Sequence, residues 1–463
     1  MTVVHTFTQL HDEPIDHNGS LGWPLIGETP DFLRAGQNGE PHKFIRERMD
    51  KHDSRVFKTS LLGEPMAVFC GQETSSCLAT RISWSPLVTA TGDEAKRMRR
   101  MLMTFLNPDA LRSYVERMEI VTQQHISTHW DGSRTKSLLY YNRVNYKGKE
   151  EVRVFPIVKL YTFELACRLF TSIDDPSHIS KLAAQFNVFL KGVIDLPINL
   201  PGTTFYHAMR AANAIREELQ VIATQRRVDL EEKKASPKQD LLSHLLATAD
   251  ASGKFLTEME IIDNILLLLF AGHDTTRSAI TLLMRYLGDL PQVYEKVLKE
   301  QIDIAMSKEP GELLQWEDIQ KMRYSWSVVS EVMRLSPPAS GAFREALTDI
   351  TYAGYTIPRG WKLYWSTGST QRDQTFFQNP EEFDASRFEG AGPTSYSYVP
   401  FGGGPRMCPG QEFARLQILV FLHNMVKRFR WDLLIPDENF GYNPMLAPSK
   451  GLPIRLRPHK FEA

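Results

Sequence analysis

Hydrophobic and polar positions repeat with a helical period over most of this chain. The longest such stretch begins at Thr257 and continues to about Gly288, with Pro291 just beyond it. Its first residues, Thr257 to Glu260, match a capping box, in which the Thr and Glu side chains bind amides that the first turn leaves exposed. At 1.5 Å per residue, a helix of about 30 residues is roughly 45 Å long. The pattern therefore predicts one helix long enough to cross an entire domain.

Three further stretches have the same period. Met209 to Lys234 is charged and helical, and Ala235-Ser236-Pro237 ends it. Another helix is predicted to end at Leu335, because the Pro337-Pro338 pair disfavours helix in the residue before it. Near the C-terminus, Gln411 to Phe429 reads as an amphipathic helix.

Two segments alternate with the period of a strand. Arg55 to Cys70 predicts two strands about the turn Gly63-Glu64-Pro65, and Ile350 to Trp365 predicts a β-hairpin. The pattern as a whole predicts a mainly α protein with small β-sheets.

Composition and charge exclude several classes of protein. The chain has 463 residues, of which 42% are hydrophobic and 24% charged, as in an ordinary globular protein. Its net charge of −1, from 54 basic and 55 acidic residues, gives no electrostatic case for binding nucleic acid. The longest apolar run, Ile265 to Ala271, is far shorter than the roughly 20 residues that cross a bilayer. The N-terminal residues form neither a signal peptide nor a membrane anchor.

The most informative segment is the loop FGGGPRMCPG, Phe401 to Gly410. Its glycines let the backbone pass close to a flat group, and its two prolines stiffen the loop. Cys408 precedes a predicted helix and lies two residues from Arg406, and both features favour a thiolate. A free cysteine is most often a buried apolar residue, and a zinc site or a disulfide would need partners that the spacing of the other cysteines does not offer. An aimed thiolate beside a flat cofactor is what axial ligation of a haem iron requires.

Two upstream motifs are ambiguous by themselves. In AGHDTT, Ala271 to Thr276, the small residues would leave a shallow trough beside the acid Asp274 and the hydroxyl of Thr275, although a simple helix kink explains the residues equally well. Glu331 and Arg334 are spaced three apart on a helix, which usually gives a solvated surface pair. Arg387, in FDASRF, could complete a network with them.

These motifs, in this order, resemble those of the cytochromes P-450, the haem-thiolate monooxygenases. The cysteine loop matches the family pattern at Phe401, Gly404, Cys408 and Gly410, and the ordered motifs extend the resemblance over essentially the whole chain. More narrowly, the chain resembles plant triterpenoid oxidases of the β-amyrin 28-monooxygenase type. The segments that carry this likeness are Asp195 to Leu219, Phe413 to Phe429 and Asn443 to Leu456.

The resemblance implies a cytochrome P-450 fold with the long central helix over the haem, and one catalytic domain from residue 21 to 463. It implies haem b with Cys408 as the axial iron ligand, and it assigns Thr275 and Asp274 to dioxygen and proton handling. The other implied haem-binding residues are Arg406, Arg344, Arg99, Phe401, Gly402 and Gly410. Glu331, Arg334 and Arg387 would be structural and would hold the cysteine loop from behind.

The same resemblance implies partners and a location. The substrate would be a hydrophobic polycyclic terpenoid, triterpene or sterol-like, oxidised with O2. Electrons would come from an NADPH–cytochrome reductase, with Lys427, Arg428 and Arg430 as candidate docking charges. Family members are expected on the cytosolic face of the endoplasmic reticulum membrane.

Three departures from the family leave alternatives open. Residues 1–20 lack the usual membrane anchor, which indicates a truncated chain or an incomplete gene model. Residues 71–91 are shorter than in relatives, and 133–150 form an atypical insertion, expected to be an exposed loop. The alternatives are a catalytically impaired truncated or misspliced haem-binding variant, a taxane-type diterpenoid hydroxylase, and a member that rearranges peroxides, against which the intact Asp274-Thr275 pair argues.

Overall fold

The computed structural model describes residues 19–23, 26–52, 54–61, 63–70, 92–130, 143–146, 149–193, 195, 197–352 and 355–459. The shortened stretch 71–91 lies outside the described residues. Gly92, directly after it, begins a helix. Residues 1–18 of the N-terminal segment also lie outside the described residues, as do residues 131–142 and 147–148.

Helices make up the larger part of the described residues. They are α1 (Thr29–Gln37), α2 (Pro41–His52), α3 (Gly92–Leu106), α4 (Pro108–Arg112), α5 (Val115–His129), α6 (Val154–Thr171), α7 (Pro176–Lys191), α8 (Thr204–Glu231), α9 (Leu241–Ala247), α10 (Glu258–Asp289), α11 (Pro291–Met306), α12 (Trp316–Lys321), α13 (Arg323–Leu335), α14 (Thr367–Thr370) and α15 (Gln411–Arg428). Of these helices, none combines the length and the apolar character that a bilayer crossing requires.

The strands are short. They are β1 (Val56–Leu61), β2 (Glu64–Phe69), β3 (Arg143–Tyr146), β4 (Lys149–Arg153), β5 (Gly341–Glu345), β6 (Ile350–Tyr352), β7 (Tyr355–Ile357), β8 (Lys362–Ser366), β9 (Phe429–Leu433), β10 (Phe440–Tyr442), β11 (Leu446–Pro448) and β12 (Pro453–Pro458). They form sheets of order β1-β2-β8-β5 and β3-β4-β12-β9 and the two hairpins β6-β7 and β10-β11.

The chain folds into two compact units. Unit 1 comprises residues 1–96, 326–408 and 437–450, and unit 2 comprises 97–325, 409–436 and 451–463. Unit 1 holds the sheet β1-β2-β8-β5, whose apolar core includes Phe69, Trp365 and Val399. Unit 2 is mainly helical, with α10 packed along α6 and α8.

Most of the predicted helices are confirmed. The capping box at Thr257 and Glu260 is formed, and α10 runs from Glu258 to Asp289 as one continuous helix. α13 ends at Leu335 and α15 spans Gln411–Arg428, within one residue of the predicted ends. β1 and β2 are also confirmed, and Gly63 in their turn has φ +78°, a conformation that favours glycine.

Two expectations about β structure are wrong in part. Only β6 and β7 form the predicted hairpin, because Lys362–Ser366 pairs in parallel with β2 and antiparallel with β5. Residues 143–146 and 149–150 of the insertion lie in strands rather than in a loop. The physical reason is that β3 and β4 pair antiparallel with each other, from Arg143 opposite Val152 to Tyr146 opposite Lys149. The far end of β4, at Val152 and Arg153, pairs in turn with β12.

Candidate active site

The cysteine loop of unit 1 is held by its own backbone. The amide of Cys408 donates to the carbonyl of Phe401 at 2.8 Å, and the amide of Gly402 donates to the carbonyl of Val399 at 3.0 Å. Gly402 and Gly404 have φ values of +77° and +68°, which a side chain would strain. A Cβ on Gly402 would meet protein atoms only at 4.0 Å, so a flat group can pass close to the backbone there. Helix α15 begins at Gln411 with Gly410 as its N-cap, immediately after this loop.

Cys408 differs from the other described cysteines. Its side chain is exposed, whereas Cys70 and Cys167 are buried. Burial raises the pKa of the Cys70 and Cys167 thiols, so both favour the neutral form. Among the described cysteines, Cys408 is therefore the one placed to act as a thiolate ligand.

Arg344 and Arg406 bring two positive charges together in unit 1. Arg344, on β5, is partly buried, and its guanidinium donates to the carbonyl of Phe343 at 2.7 Å. Burial, and then the charge of Arg406, lower the pKa of Arg344 to about 10. Two neighbouring guanidiniums favour an anionic group beside them. A carboxylate would offset both the repulsion between the two positive charges and the desolvation of Arg344.

Glu331, Arg334 and Arg387 meet in unit 1. Glu331 and Arg334 are 0% exposed and form a bidentate pair, at 2.6 and 2.8 Å. Arg387 approaches Glu331 at 3.5 Å. The Arg334 guanidinium also donates to the carbonyls of Gln371 and Pro380, at 3.0 and 2.8 Å. The spacing alone is typical of a surface pair, and the burial shows that here it is an internal one.

Helix α10 of unit 2 places Thr275 on a half-buried stripe. Between Asn264 and Met284 the residues that are less than fully buried are Leu267, Phe270, Ala271, Gly272 and Thr275. Thr275 donates its hydroxyl to the carbonyl of Ala271 at 2.8 Å, as expected for a hydroxyl that competes within a helix.

The space beside Gly272 is bounded by two aromatic rings. A Cβ added to Gly272 would lie 3.7 Å from the Phe170 ring and 3.8 Å from the Phe413 ring, which is ordinary contact. The sequence could not show this, because the two phenylalanines come from α6 and α15. The half-buried side of α10 lies along Ala271, Gly272 and Thr275.

Asp274 is buried on another side of α10, as a rotation of about 100° per residue requires. Its carboxylate forms an ion pair with Arg277, one turn further along. The Arg277 guanidinium lies 4.1 Å from the centre of the Phe155 ring on α6. Lys159 is nearby, and burial together with the charge of Arg277 lowers its pKa to about 8, against the opposing effect of Asp274.

His273 is also buried and neutral at pH 7. Its Nδ1 donates to the carbonyl of Leu269 at 2.6 Å, which leaves Nε2 as the unprotonated nitrogen. Burial lowers its pKa to about 4. Its ring packs edge-on against Phe163, so it is a member of the core rather than of the half-buried stripe.

The structure distributes the expected site residues over both units. Unit 1 holds the cysteine loop with Phe401, Gly402, Arg406 and Cys408, together with Arg344 and the Glu331–Arg334–Arg387 network, and unit 2 holds Asp274, Thr275, Gly410 and Arg99, which is partly buried on α3. Sequence reasoning missed Arg277 and Gln371. The spacing of Asp274 and Arg277, three apart on a helix, could have indicated that pair, whereas no local pattern indicated Gln371.

The chain matches the sequence profile of the family described as cytochrome P450 over residues 83–449. The structure is similar to that of the retinoic acid bound cyanobacterial CYP120A1, with a TM-score of 0.80 and 30% identity, covering 95% of this chain and 99% of that one. The chain therefore belongs to the cytochrome P450 family and has its mainly helical fold. It is a monooxygenase whose cofactor is haem with an axial cysteine thiolate, and the sequence predictions of fold, enzyme class and cofactor are confirmed.

Several of its relatives are plant enzymes. The chain is 52% identical over 457 residues to a β-amyrin 28-monooxygenase of Vitis vinifera, covering 96% of this chain and 92% of the relative. It is 49% identical to a β-amyrin 28-monooxygenase of Medicago truncatula, with coverage of 96% and 92%. It is 44% identical to a protopanaxadiol 6-hydroxylase of Panax ginseng, with coverage of 95% and 92%.

The residues present fit a haem. Cys408 offers an exposed sulfur in a loop whose amide is fixed by Phe401, and the space at Gly402 admits a flat ring. Arg344 and Arg406 supply the paired positive charge that two propionates require.

Proposed function

We propose that this chain oxidises a C–H bond of a polycyclic terpenoid, triterpene or sterol-like, with β-amyrin as the leading substrate. The observation that carries the proposal is the 52% identity, over nearly the full length of both chains, to an enzyme named for β-amyrin oxidation. The half-buried stripe of α10 supports a hydrophobic substrate, because Leu267, Phe270 and Ala271 present apolar surface on the same side as Thr275.

Cys408 is the axial ligand in this proposal. The haem, when bound, supplies the chemistry that places one oxygen atom of O2 in an unactivated C–H bond. The Cys408–Phe401 hydrogen bond would hold the ligand in place. Arg344, Arg406 and Arg99 would bind the propionates. Phe401, Gly402 and Gly410 shape the loop and the start of α15 around it.

Thr275 and Asp274 position dioxygen and protons. The Thr275 hydroxyl bonds within its own helix, and rotation about its side chain frees it to donate to dioxygen. Asp274 would supply the acid group for proton delivery, and its carboxylate is held by Arg277 on a neighbouring side of the same helix. Glu331, Arg334 and Arg387 are structural and fix the segment behind the cysteine loop.

The electron donor is an NADPH-dependent flavoprotein reductase. Of the basic residues considered for docking it, Lys427 is mostly buried, and burial lowers its pKa. Arg430 is exposed and pairs with Glu295 at 2.7 Å. Arg430 is therefore the better candidate of these two, since it can exchange Glu295 for an acidic group of the reductase.

The enzyme works at the cytosolic face of the endoplasmic reticulum membrane in this proposal. The loop between α7 and α8 exposes Val193, Ile198 and Leu200 at 43%, 48% and 61%, with Lys191 and Arg210 exposed on the flanking helices. Apolar side chains with basic neighbours suit an anionic lipid surface. I198D/L200D should lower co-sedimentation with vesicles containing phosphatidylserine, whereas V221D, on an exposed apolar residue of α8, should not. Equal loss in both variants would contradict this location.

Reconstitution tests the function. The purified holoenzyme should give the Soret band of a thiolate-ligated, reduced carbon monoxide complex, and with a plant reductase and NADPH it should convert β-amyrin into oxidised products detectable by mass spectrometry. C408S should lose the thiolate band, whereas the matched control C70A, at a buried cysteine outside the loop, should keep it.

The outcomes are distinct. A folded protein without the thiolate band would refute an active site at Cys408 and support the impaired variant. A normal band with oxidation of protopanaxadiol or taxadiene but not of β-amyrin would refute β-amyrin as the substrate.

A further inference from the structure

Gln371 connects the buried Glu331–Arg334 pair to the cysteine loop within unit 1. It follows α14, is 0% exposed, and uses every polar atom of its amide. Its Nε2 donates to the carbonyls of Met333 and Arg334, at 3.0 and 3.1 Å, and its Oε1 accepts the amide of Val399 at 3.0 Å. Two carbonyls on one side and an amide on the other fix which way the amide group points.

On the helix side, Gln371 acts as a cap. The last carbonyls of an α-helix have no partner within it, and Met333 and Arg334 are in the last turn of α13. Arg372 continues the cap by donating to the carbonyl of Leu335. The Arg334 guanidinium in turn donates to the carbonyl of Gln371 at 3.0 Å, so the link runs in both directions.

On the loop side, Gln371 fixes Val399. This residue is in neither a helix nor a strand, yet it is 3% exposed and its side chain packs in the same apolar cluster as Trp365. Its amide is held by Gln371, and its carbonyl accepts the amide of Gly402. Phe401, two residues after Val399, holds the amide of Cys408. Val399 is therefore the fixed point from which the first half of the cysteine loop departs.

We propose that Gln371 is a positioning residue for the cysteine ligand, which it holds in place by tying Val399 to the C-terminal end of α13. The inference rests on the proposed role of Cys408 as the axial ligand. Loss of the amide leaves the buried N–H of Val399 without its acceptor and releases the start of the loop. The Cys408 sulfur would then point in several directions. In most of them it would bind iron weakly, or bind it as the neutral thiol.

The test compares two buried glutamines in the holoenzyme. Q371M keeps the length of the side chain and removes its hydrogen bonds. The matched control is Q301M, because Gln301 is also 0% exposed and bridges two groups, donating to Ser325 and accepting from His423, each at 2.8 Å. The readouts are the reduced carbon monoxide spectrum and the urea midpoint.

We expect Q371M to raise the ratio of non-thiolate to thiolate spectra about tenfold, the factor that corresponds to about 1.4 kcal/mol. Q301M should keep the wild-type ratio of non-thiolate to thiolate spectra, although its urea midpoint should fall about as far as that of Q371M. Equal spectra in wild type and Q371M, or the same spectral change in Q301M, would overturn the proposal. A wild-type protein without the thiolate band would instead refute the role of Cys408.

A measurement without any variant covers the case in which Q371M does not fold. In the wild-type holoenzyme the amide of Val399, although it lies in a loop, should exchange with solvent as slowly as the amides of α13. Fast exchange at Val399 would show that Gln371 does not hold it, and would overturn the proposal.

Discussion

The ion pair between Asp274 and Arg277 allows stability and catalysis to be separated. Their side chains are 5% and 9% exposed, and Arg277 also covers the Phe155 ring. Removing one partner of a buried pair leaves the other charge desolvated, which costs about 3–5 kcal/mol. We expect D274N to lower the free energy of unfolding by that amount.

R277M should behave differently. Methionine keeps the apolar contact with Phe155 and removes only the charge, so the loss of stability reports the stranded Asp274 carboxylate. The double variant D274N/R277M removes both charges of the pair. We expect it to recover most of the stability that D274N loses, so the coupling energy between the two positions should be at least about 2 kcal/mol.

The assay is urea unfolding of the four holoenzymes, combined with product formed per NADPH consumed. Stability should return in the double variant, but product formation should not, because Asp274 is proposed to deliver protons. Effects that add within about 0.5 kcal/mol would refute the ion-pair reasoning. Restored product formation in D274N/R277M would refute the catalytic role of Asp274.

Three further predictions concern other parts of the fold. E331Q strands the fully buried Arg334 and should cost about 3–5 kcal/mol, and an unchanged urea midpoint would contradict this. The pKa of His273 falls from 6.5 to about 4 on folding. Between these pH values the unfolded chain binds a proton that the folded chain does not. The free energy of unfolding should therefore decline as the pH drops through this range, by up to ~3 kcal/mol. H273F should remove that part of the acid dependence, and parallel stability–pH curves for the two proteins would argue against it. T257A disrupts the capping box of α10 and should cost about 1 kcal/mol by urea unfolding, whereas no loss would show that tertiary packing alone holds the helix start.

Much of the fold could be predicted because its signals are local. The capping box at Thr257, the prolines after Leu335 and the glycines of the cysteine loop each act on the few residues around them. Local signals failed where a distant segment decides the outcome. Lys362–Ser366 has the pattern of a hairpin strand, yet β2 and β5 offer it more partners than β7 does.

The same division applies to the site. The motifs indicated Cys408, Thr275 and the Glu331–Arg334 pair, since each matches a short pattern. They did not indicate that Gly272 packs against Phe170 and Phe413, because helix spacing gives the direction of a side chain but not what lies opposite. Gln371 carried no signal, because a glutamine is equally common on the surface and all of its partners come from other parts of the chain.

The amino-acid sequence was enough to indicate the family and the helical architecture and to predict Cys408 as the cysteine ligand, because these depend on ordered motifs and on short-range backbone preferences. How the chain holds those groups depends on its three-dimensional packing. It buried Glu331 and Arg334 completely, turned Asp274 towards Arg277 and away from the stripe of Thr275, and tied Val399 to the end of α13 through Gln371. Burial and non-local hydrogen bonds are properties of packed elements, so no local pattern encodes them.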